Sequence, residues 1–175
     1  MRATRWGSGV SESDAPAIRG SGFVSDVARL LKEKRRWKAA GKRLVLTHGA
    51  FDLLHPGHVA LLEAARRQGD VLIVAINSDR SLRERKGAGR PLTPEAERGE
   101  ILLALEPVDG VVVYDDPTPR ELIATLEPDV LVEGADGPAD QIVADLVEAS
   151  GGRLVRVELV PGRSTAELVN RIRSL

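Results

Sequence analysis

Five short runs, apolar throughout except for Arg156 in the last, are spaced by stretches of helical character and limit what this chain can become more than any other feature. They are Leu44–Leu46, Val71–Ile76, Gly110–Tyr114, Val130–Val132 and Leu154–Val157. A strand that is apolar at every position has no side left for water, so it must be covered on both faces. That requirement predicts a parallel sheet with helices above and below it. The intervening segments supply the helices. Val59–Arg67 is stopped by Gly69-Asp70, and Pro138–Ala149 by Gly151-Gly152. Thr93-Pro94 and Thr118-Pro119 each place a capping residue before a proline at the first helical position, predicting helices that run to Leu105 and Leu126. Ser164–Arg173 is the last helix, and Val24–Ala40 precedes the first strand, with Val24, Val27, Leu30, Leu31 and Trp37 on one face. Right-handed crossovers then make a doubly wound, Rossmann-like α/β domain over residues 23–175. Residues 1–22, rich in Gly, Ser and charge, read as a flexible arm.

Composition narrows the partners. With 175 residues, 42% of them hydrophobic and 29% charged, the chain can bury a sizeable single core. A net charge of −1 gives no general attraction to nucleic acid or to an anionic membrane, and 3% aromatics offer little stacking surface for single strands. Cys is absent, which removes disulfides, thiolate metal sites and a thiol nucleophile. No apolar run approaches the roughly 20 residues that span a bilayer, and Met1–Ala17 lacks the apolar stretch of a signal peptide. The expectation is a cytoplasmic protein without nucleic-acid or membrane partners. No G-x-G-x-x-G follows a predicted strand and no P-loop occurs, which disfavours dinucleotide redox chemistry and P-loop phosphoryl transfer.

In a doubly wound sheet, ligands bind beyond the carboxyl ends of the strands. All three histidines of the chain fall in the first such loop, Thr47-His48-Gly49-Ala50-Phe51-Asp52-Leu53-Leu54-His55-Pro56-Gly57-His58. Gly49 and Gly57 would let backbone approach a ligand closely. His58 falls in the first turn of a helix, whose free N–H groups attract anions. His55 lies three residues before it, so both rings can face one anion. The alternatives are two surface histidines in a turn, or a zinc pair that lacks an obvious third ligand.

His55-Pro56-Gly57-His58 resembles the HxGH signature of the cytidylyltransferase-like nucleotidyltransferases. Further segments follow in the family's order: Asn77-Ser78-Asp79, Lys86-Gly87-Ala88-Gly89-Arg90-Pro91, Glu97-Arg98, Ala104–Asp109, Thr118-Pro119, Pro128–Val132 and Gly162-Arg163-Ser164-Thr165. The series is most similar to the bacterial heptose 1-phosphate adenylyltransferases, from about Ala40 onward. This resemblance implies transfer of AMP from ATP to a sugar 1-phosphate, with Mg²⁺ arriving on the triphosphate, no protein metal site, and a homodimer. Glycerol 3-phosphate cytidylyltransferases are the nearest alternative, but they carry an Arg-Thr pair where this chain has Leu159-Val160. A nucleotide-binding module without catalysis is the other reading.

The resemblance also assigns roles. His55 and His58 would hold the α-phosphate, with Lys86, in a Gly-flanked loop, reaching the phosphates as a third catalytic group. Thr47, His48, Gly49, Ala50, Phe51 and Gly57 would border the nucleotide. Arg98 would hold its β- and γ-phosphates, unless it simply pairs with Glu95 or Glu97. Gly134 and Asp136 would border base and ribose, and Ser164 and Thr165 would touch the nucleotide from a helix start that also reads as a capping box. Asp79 and Arg90 would contact the acceptor. Asp52 is expected to hold the motif turn through Asx-type bonds. The chain departs from the heptose pattern at His48, usually Asn, and at Glu133-Gly134-Ala135-Asp136-Gly137, usually Lys-Gly-Gly-Asp-Tyr. It also has Ala166 in place of a second Thr.

Overall fold

A computed structural model describes residues 23–24, 27–135, 140–158 and 164–175. The elements are β1 (Phe23–Val24), α1 (Val27–Ala39), β2 (Leu44–Gly49), α2 (Pro56–Arg66), β3 (Val71–Asn77), α3 (Asp79–Lys86), α4 (Glu95–Leu103), β4 (Gly110–Tyr114), α5 (Arg120–Leu126), β5 (Val130–Gly134), α6 (Gln141–Ala149), β6 (Arg153–Val157) and α7 (Thr165–Arg173). Every strand pairing is parallel, in the order β1-β4-β3-β2-β5-β6. The chain lays down β2, β3 and β4 in one direction, then returns to place β5 on the other side of β2. The winding therefore reverses between β2 and β5, where side chains at the carboxyl ends are separated into two faces.

The five expected strands are present, and each face of the sheet has its own apolar layer. On one face Leu46, Ile73, Ala75, Val112 and Leu131 pack against Leu30 and Trp37 of α1, Leu122, Ile123 and Leu126 of α5, and Val143 and Val147 of α6. On the other, Val45, Leu72, Val74, Ile76 and Val132 pack against Leu61, Leu62 and Ala65 of α2 and Leu102 of α4. Burying each such Leu or Ile contributes about 1.5–3 kcal/mol.

Several boundaries differ from expectation for local reasons. Val24 belongs not to α1 but to a two-residue edge strand on β4, where the sheet otherwise leaves backbone groups unpaired. The segment after Asn77 is the helix α3 rather than a loop. Its sequence, DRSLRERK, carries only one apolar residue and so has no hydrophobic period. The Ser78 side chain accepts from the Ser81 N–H to start it, a cap the apolar pattern does not reveal. Helix α2 begins earlier than expected, with Pro56 in its first turn. Helices α4 and α5 begin after their prolines, and neither has a side-chain cap, so Thr93 and Thr118 do not cap them. Helix α6 is capped by Asp140, which accepts from the Ile142 and Val143 N–H groups.

At the amino edge of the sheet one device is repeated. Asp70, Asp109 and Asp129 each stand just before a strand and accept an N–H from the start of the neighbouring strand: Arg43, Leu72 and Leu44 respectively. These bonds fix the register and leave that edge satisfied.

Candidate active site

The opposite edge is built on the turn that leaves β2. Gly49 is needed here for packing: a Cβ on it would lie 3.1 Å from the Phe51 ring. Phe51 itself is a core residue, with φ of 46° in the left-handed region that non-glycine residues rarely occupy. Its ring meets the His58 ring at a centroid distance of 4.9 Å. The turn thus buries Phe51 beneath the histidines and lifts the start of α2 above the sheet edge.

His55 is the N-cap of α2. Its Nδ1 accepts from the His58 backbone N–H at 3.3 Å. With Nδ1 accepting, the neutral ring carries its proton on Nε2, and that N–H is free to be aimed at a ligand. The two imidazoles stack, with centroids 3.7 Å apart and planes 20° from parallel. His58 Nδ1 is buried with no hydrogen-bond partner. Burial, then the neighbouring His55 and Lys86, push the His58 pKa down to about 4. Burial also lowers His55, with Glu167 acting against it. Both rings are therefore neutral at pH 7 without ligand, and an anion placed over them would favour their protonation.

Lys86 closes α3 and lies within electrostatic reach of His58. Its pKa is lowered by burial, then by Arg85 and Arg90, with Asp52 opposing. Three cations, Lys86, Arg85 and Arg90, thus gather here against the single carboxylate of Asp52, leaving the positive excess an anion site requires. Asp52 acts at longer range than an Asx turn. Its carboxylate accepts from the Leu92 and Thr93 N–H groups and from Arg90, clipping the segment after α3 to the histidine turn. Burial alone would raise the Asp52 pKa, but the Thr93 N–H, Arg90 and the Leu92 N–H hold it below the usual carboxylate value.

Arg98 and Asp79 differ most from expectation. Arg98 is 1% exposed. Its guanidinium donates to the carbonyls of Thr93, Ala50 and Asn77 and to the Asp79 carboxylate. It joins α4 to the turns after β2 and β3, so it braces the site from below instead of facing a triphosphate, and it pairs with neither Glu95 nor Glu97. Asp79 is occupied by this brace, and Arg90 by Asp52. Ala50 contributes a carbonyl to Arg98, and Gly57 is buried in the first turn of α2.

Helix α7 arrives from the other side. Ser164 and Glu167 form the capping box, and the Thr165 hydroxyl donates to the Leu53 carbonyl at 3.4 Å, joining α7 to the histidine turn. Thr47 Oγ1 is buried beneath without a partner. His48 Nε2 lies 2.9 Å from Glu133 Oε1, across the strand boundary where the winding reverses. Gly134 ends β5, and Asp136 lies outside the described residues. Arg85, which donates to the Asn77 side chain, carries no signal in the sequence, because α3 lacks the apolar period that would reveal the helix returning it to the strand end. Among the described residues no cluster of three or more His, Cys, Asp or Glu could hold a metal ion, and no helix is long and apolar enough to cross a membrane.

Comparison with known proteins agrees with this geometry. The cytidylyltransferase-like family model matches residues 46–173. The bifunctional protein HldE of Gluconacetobacter diazotrophicus is 46% identical over 166 residues, covering 94% of this chain and 34% of the relative. The protein of the same name from Azorhizobium caulinodans is 52% identical over 139 residues, covering 79% of this chain and 29% of its own length. The chain thus spans about a third of the length of these relatives. A crystal structure of a lipopolysaccharide core biosynthesis protein from Thermoplasma volcanium superimposes with a TM-score of 0.60 at 25% identity, over 69% of this chain and 99% of that one. With its paired imidazoles at the start of α2 and this likeness along most of its length, the chain belongs to the cytidylyltransferase-like nucleotidyltransferases.

Proposed function

We propose that this chain transfers AMP from ATP to a sugar 1-phosphate, D-glycero-β-D-manno-heptose 1-phosphate, giving ADP-heptose and pyrophosphate. The observation that carries this reading is the stacked His55–His58 pair over the N-terminus of α2, with Lys86 in electrostatic reach. The choice of acceptor rests on the ordered motifs that resemble the heptose adenylyltransferases and on the HldE relatives.

An oxygen of the acceptor phosphate attacks the α-phosphorus of ATP. The bond to the β-phosphate oxygen breaks, and its electron pair leaves with pyrophosphate. A phosphate monoester has a second pKa of about 6, so the attacking oxygen is already largely ionised and no general base is required. The protein's task is alignment and charge stabilisation. His55 Nε2–H and the His58 ring would donate to the α-phosphate oxygens as their charge grows, and Lys86 would meet the phosphates from the α3 side. The amides at the starts of α2 and α7 would hold the nucleotide between them. Mg²⁺, bound through phosphate oxygens and water, would neutralise the triphosphate. Arg98 would act by holding Ala50, Asn77 and Asp79 in place.

The test is a pyrophosphate-release screen that crosses ATP, CTP, GTP and UTP with heptose 1-phosphates, glycerol 3-phosphate and FMN. Turnover is expected for ATP with a heptose 1-phosphate. Preference for CTP with glycerol 3-phosphate would refute the acceptor and keep the transferase; nucleotide binding with no pyrophosphate released from any pair would refute catalysis.

A further inference from the structure

Two of the chain's departures from the heptose pattern, His48 and Glu133, touch each other in the fold. The β2–β5 register pairs Thr47 with Val132, so the next residues, His48 and Glu133, stand side by side at the carboxyl end where the winding reverses. Alternation places them above Leu46 and Leu131, on the face covered by α1, α5 and α6. The histidine pair rises from α2, which packs on the opposite face.

We infer that the His48–Glu133 pair receives the hydroxyl groups of the acceptor's sugar, and so helps to decide which sugar phosphate this chain accepts. The inference rests on the function proposed above. The nucleotide is assigned to the side where α7 is joined to the histidine turn by Thr165 and Leu53. That leaves the face of His48 and Glu133 for the acceptor, so His48, which the resemblance places beside the nucleotide, is reassigned here to the acceptor. There the strand neighbour of His48 is Ala75, a small side chain buried in the core beneath. Beyond it, Asn77 and Tyr114 end their strands in register. Tyr114 Oη is buried beside the Asn77 amide, and burial pushes its pKa up to about 12. The floor is small and the surrounding groups are polar, as a hydroxylated ligand requires.

The chemistry gives the acceptor a direction. One Glu133 oxygen is held by His48, and the side chains of His48 and Glu133 remain 22% and 13% exposed. The second carboxylate oxygen and His48 Nδ1 can each serve a hydroxyl group. A carboxylate repels phosphate, so the phosphate end turns away from Glu133, toward Lys86 and the imidazoles, where it must attack. His48 supplies the contact that fixes the Glu133 carboxylate.

Calorimetric titration of the full chain separates these assignments. ATP and the sugar 1-phosphate that turns over in the screen are titrated separately into the wild type, Glu133→Gln, Glu133→Lys and His48→Asn, with each melting temperature recorded. The carboxylate-to-hydroxyl bond predicts about tenfold weaker sugar phosphate binding in Glu133→Gln, and ATP affinity within about twofold. Glu133→Lys should weaken it at least as much, and His48→Asn less. A sugar phosphate lacking the recognised hydroxyl should bind Glu133→Gln and wild type alike. Loss of ATP affinity instead, or unchanged affinity for both ligands, overturns the inference while wild-type turnover leaves the proposed function standing. A wild type that turns over no sugar phosphate overturns that function, and this inference with it.

Discussion

The two edges of the sheet are made from the same strands and solve opposite problems. At the amino edge, Asp70, Asp109 and Asp129 satisfy the N–H groups of neighbouring strands. At the carboxyl edge polar groups are left waiting. Among the buried side-chain polar atoms of the described residues that lack a partner, Thr47 Oγ1, His58 Nδ1 and Arg120 Nε lie at this end. Leaving a buried polar group unpaired costs about 1–3 kcal/mol. One edge therefore contributes to stability, and the other gives some up to keep donors and acceptors available. The brace at Arg98 is how the second edge is tolerated: it fixes the turns after β2 and β3 from beneath, so the upper groups need not be held by one another.

Substitutions should separate these roles. The largest effect is expected from Arg98→Ala, which strands three carbonyls and the Asp79 carboxylate. It should lower stability by about 3–5 kcal/mol in denaturant melts. A variant that melts like the wild type but loses affinity for triphosphate would make Arg98 a ligand group after all. Next comes His55→Ala or His58→Ala, expected to lower kcat by about 10²–10³ with a nearly unchanged melting temperature. Near-normal turnover would mean that the stacked pair serves only the helix start.

Acid should expose the strained edge. His58 titrates near about 4 in the folded chain, against an ordinary 6.5. The unfolded state thus takes up a proton first, so the stability carried by the neutral ring is full above pH 6.5 and is lost as pH falls toward 4. The loss is on the order of 3 kcal/mol. The difference in melting between wild type and His58→Gln should therefore change across this window, and added triphosphate should reduce the loss. A pH-independent difference would deny the ring its buried, uncharged state. The smallest effect belongs to the satisfied edge: Asp129→Ala should cost about 1 kcal/mol and leave kcat unchanged, since it frees only the Leu44 N–H. A fall in kcat there would show that the two edges are coupled.

Much of the fold was legible because a strand apolar on both faces leaves one architecture open to it, and all five long strands followed. Helix α3 was not, because its single buried Leu82 gives no period and its start depends on the Ser78 cap. In the site, the nearness of His55 and His58 followed from helical spacing, and the capping box of Ser164 and Glu167 from its local pattern. The partners of Arg98, Asp79 and Asp52 could not be read in the same way. Arg98 has Glu95 and Glu97 close in sequence, yet its ion pair is with Asp79, nineteen residues away.

What the sequence determined by itself was whatever depends on neighbours within a turn or two: the strands, most helices and the histidine spacing at the start of α2. Only the tertiary structure decided which charges are spent on the protein and which are left for a ligand. A charged side chain's partner is set by which strand ends the fold brings together, as at His48 and Glu133, eighty-five residues apart and 2.9 Å from each other. Burial then fixes what that pairing is worth, because charge and hydrogen bonds strengthen as water is excluded.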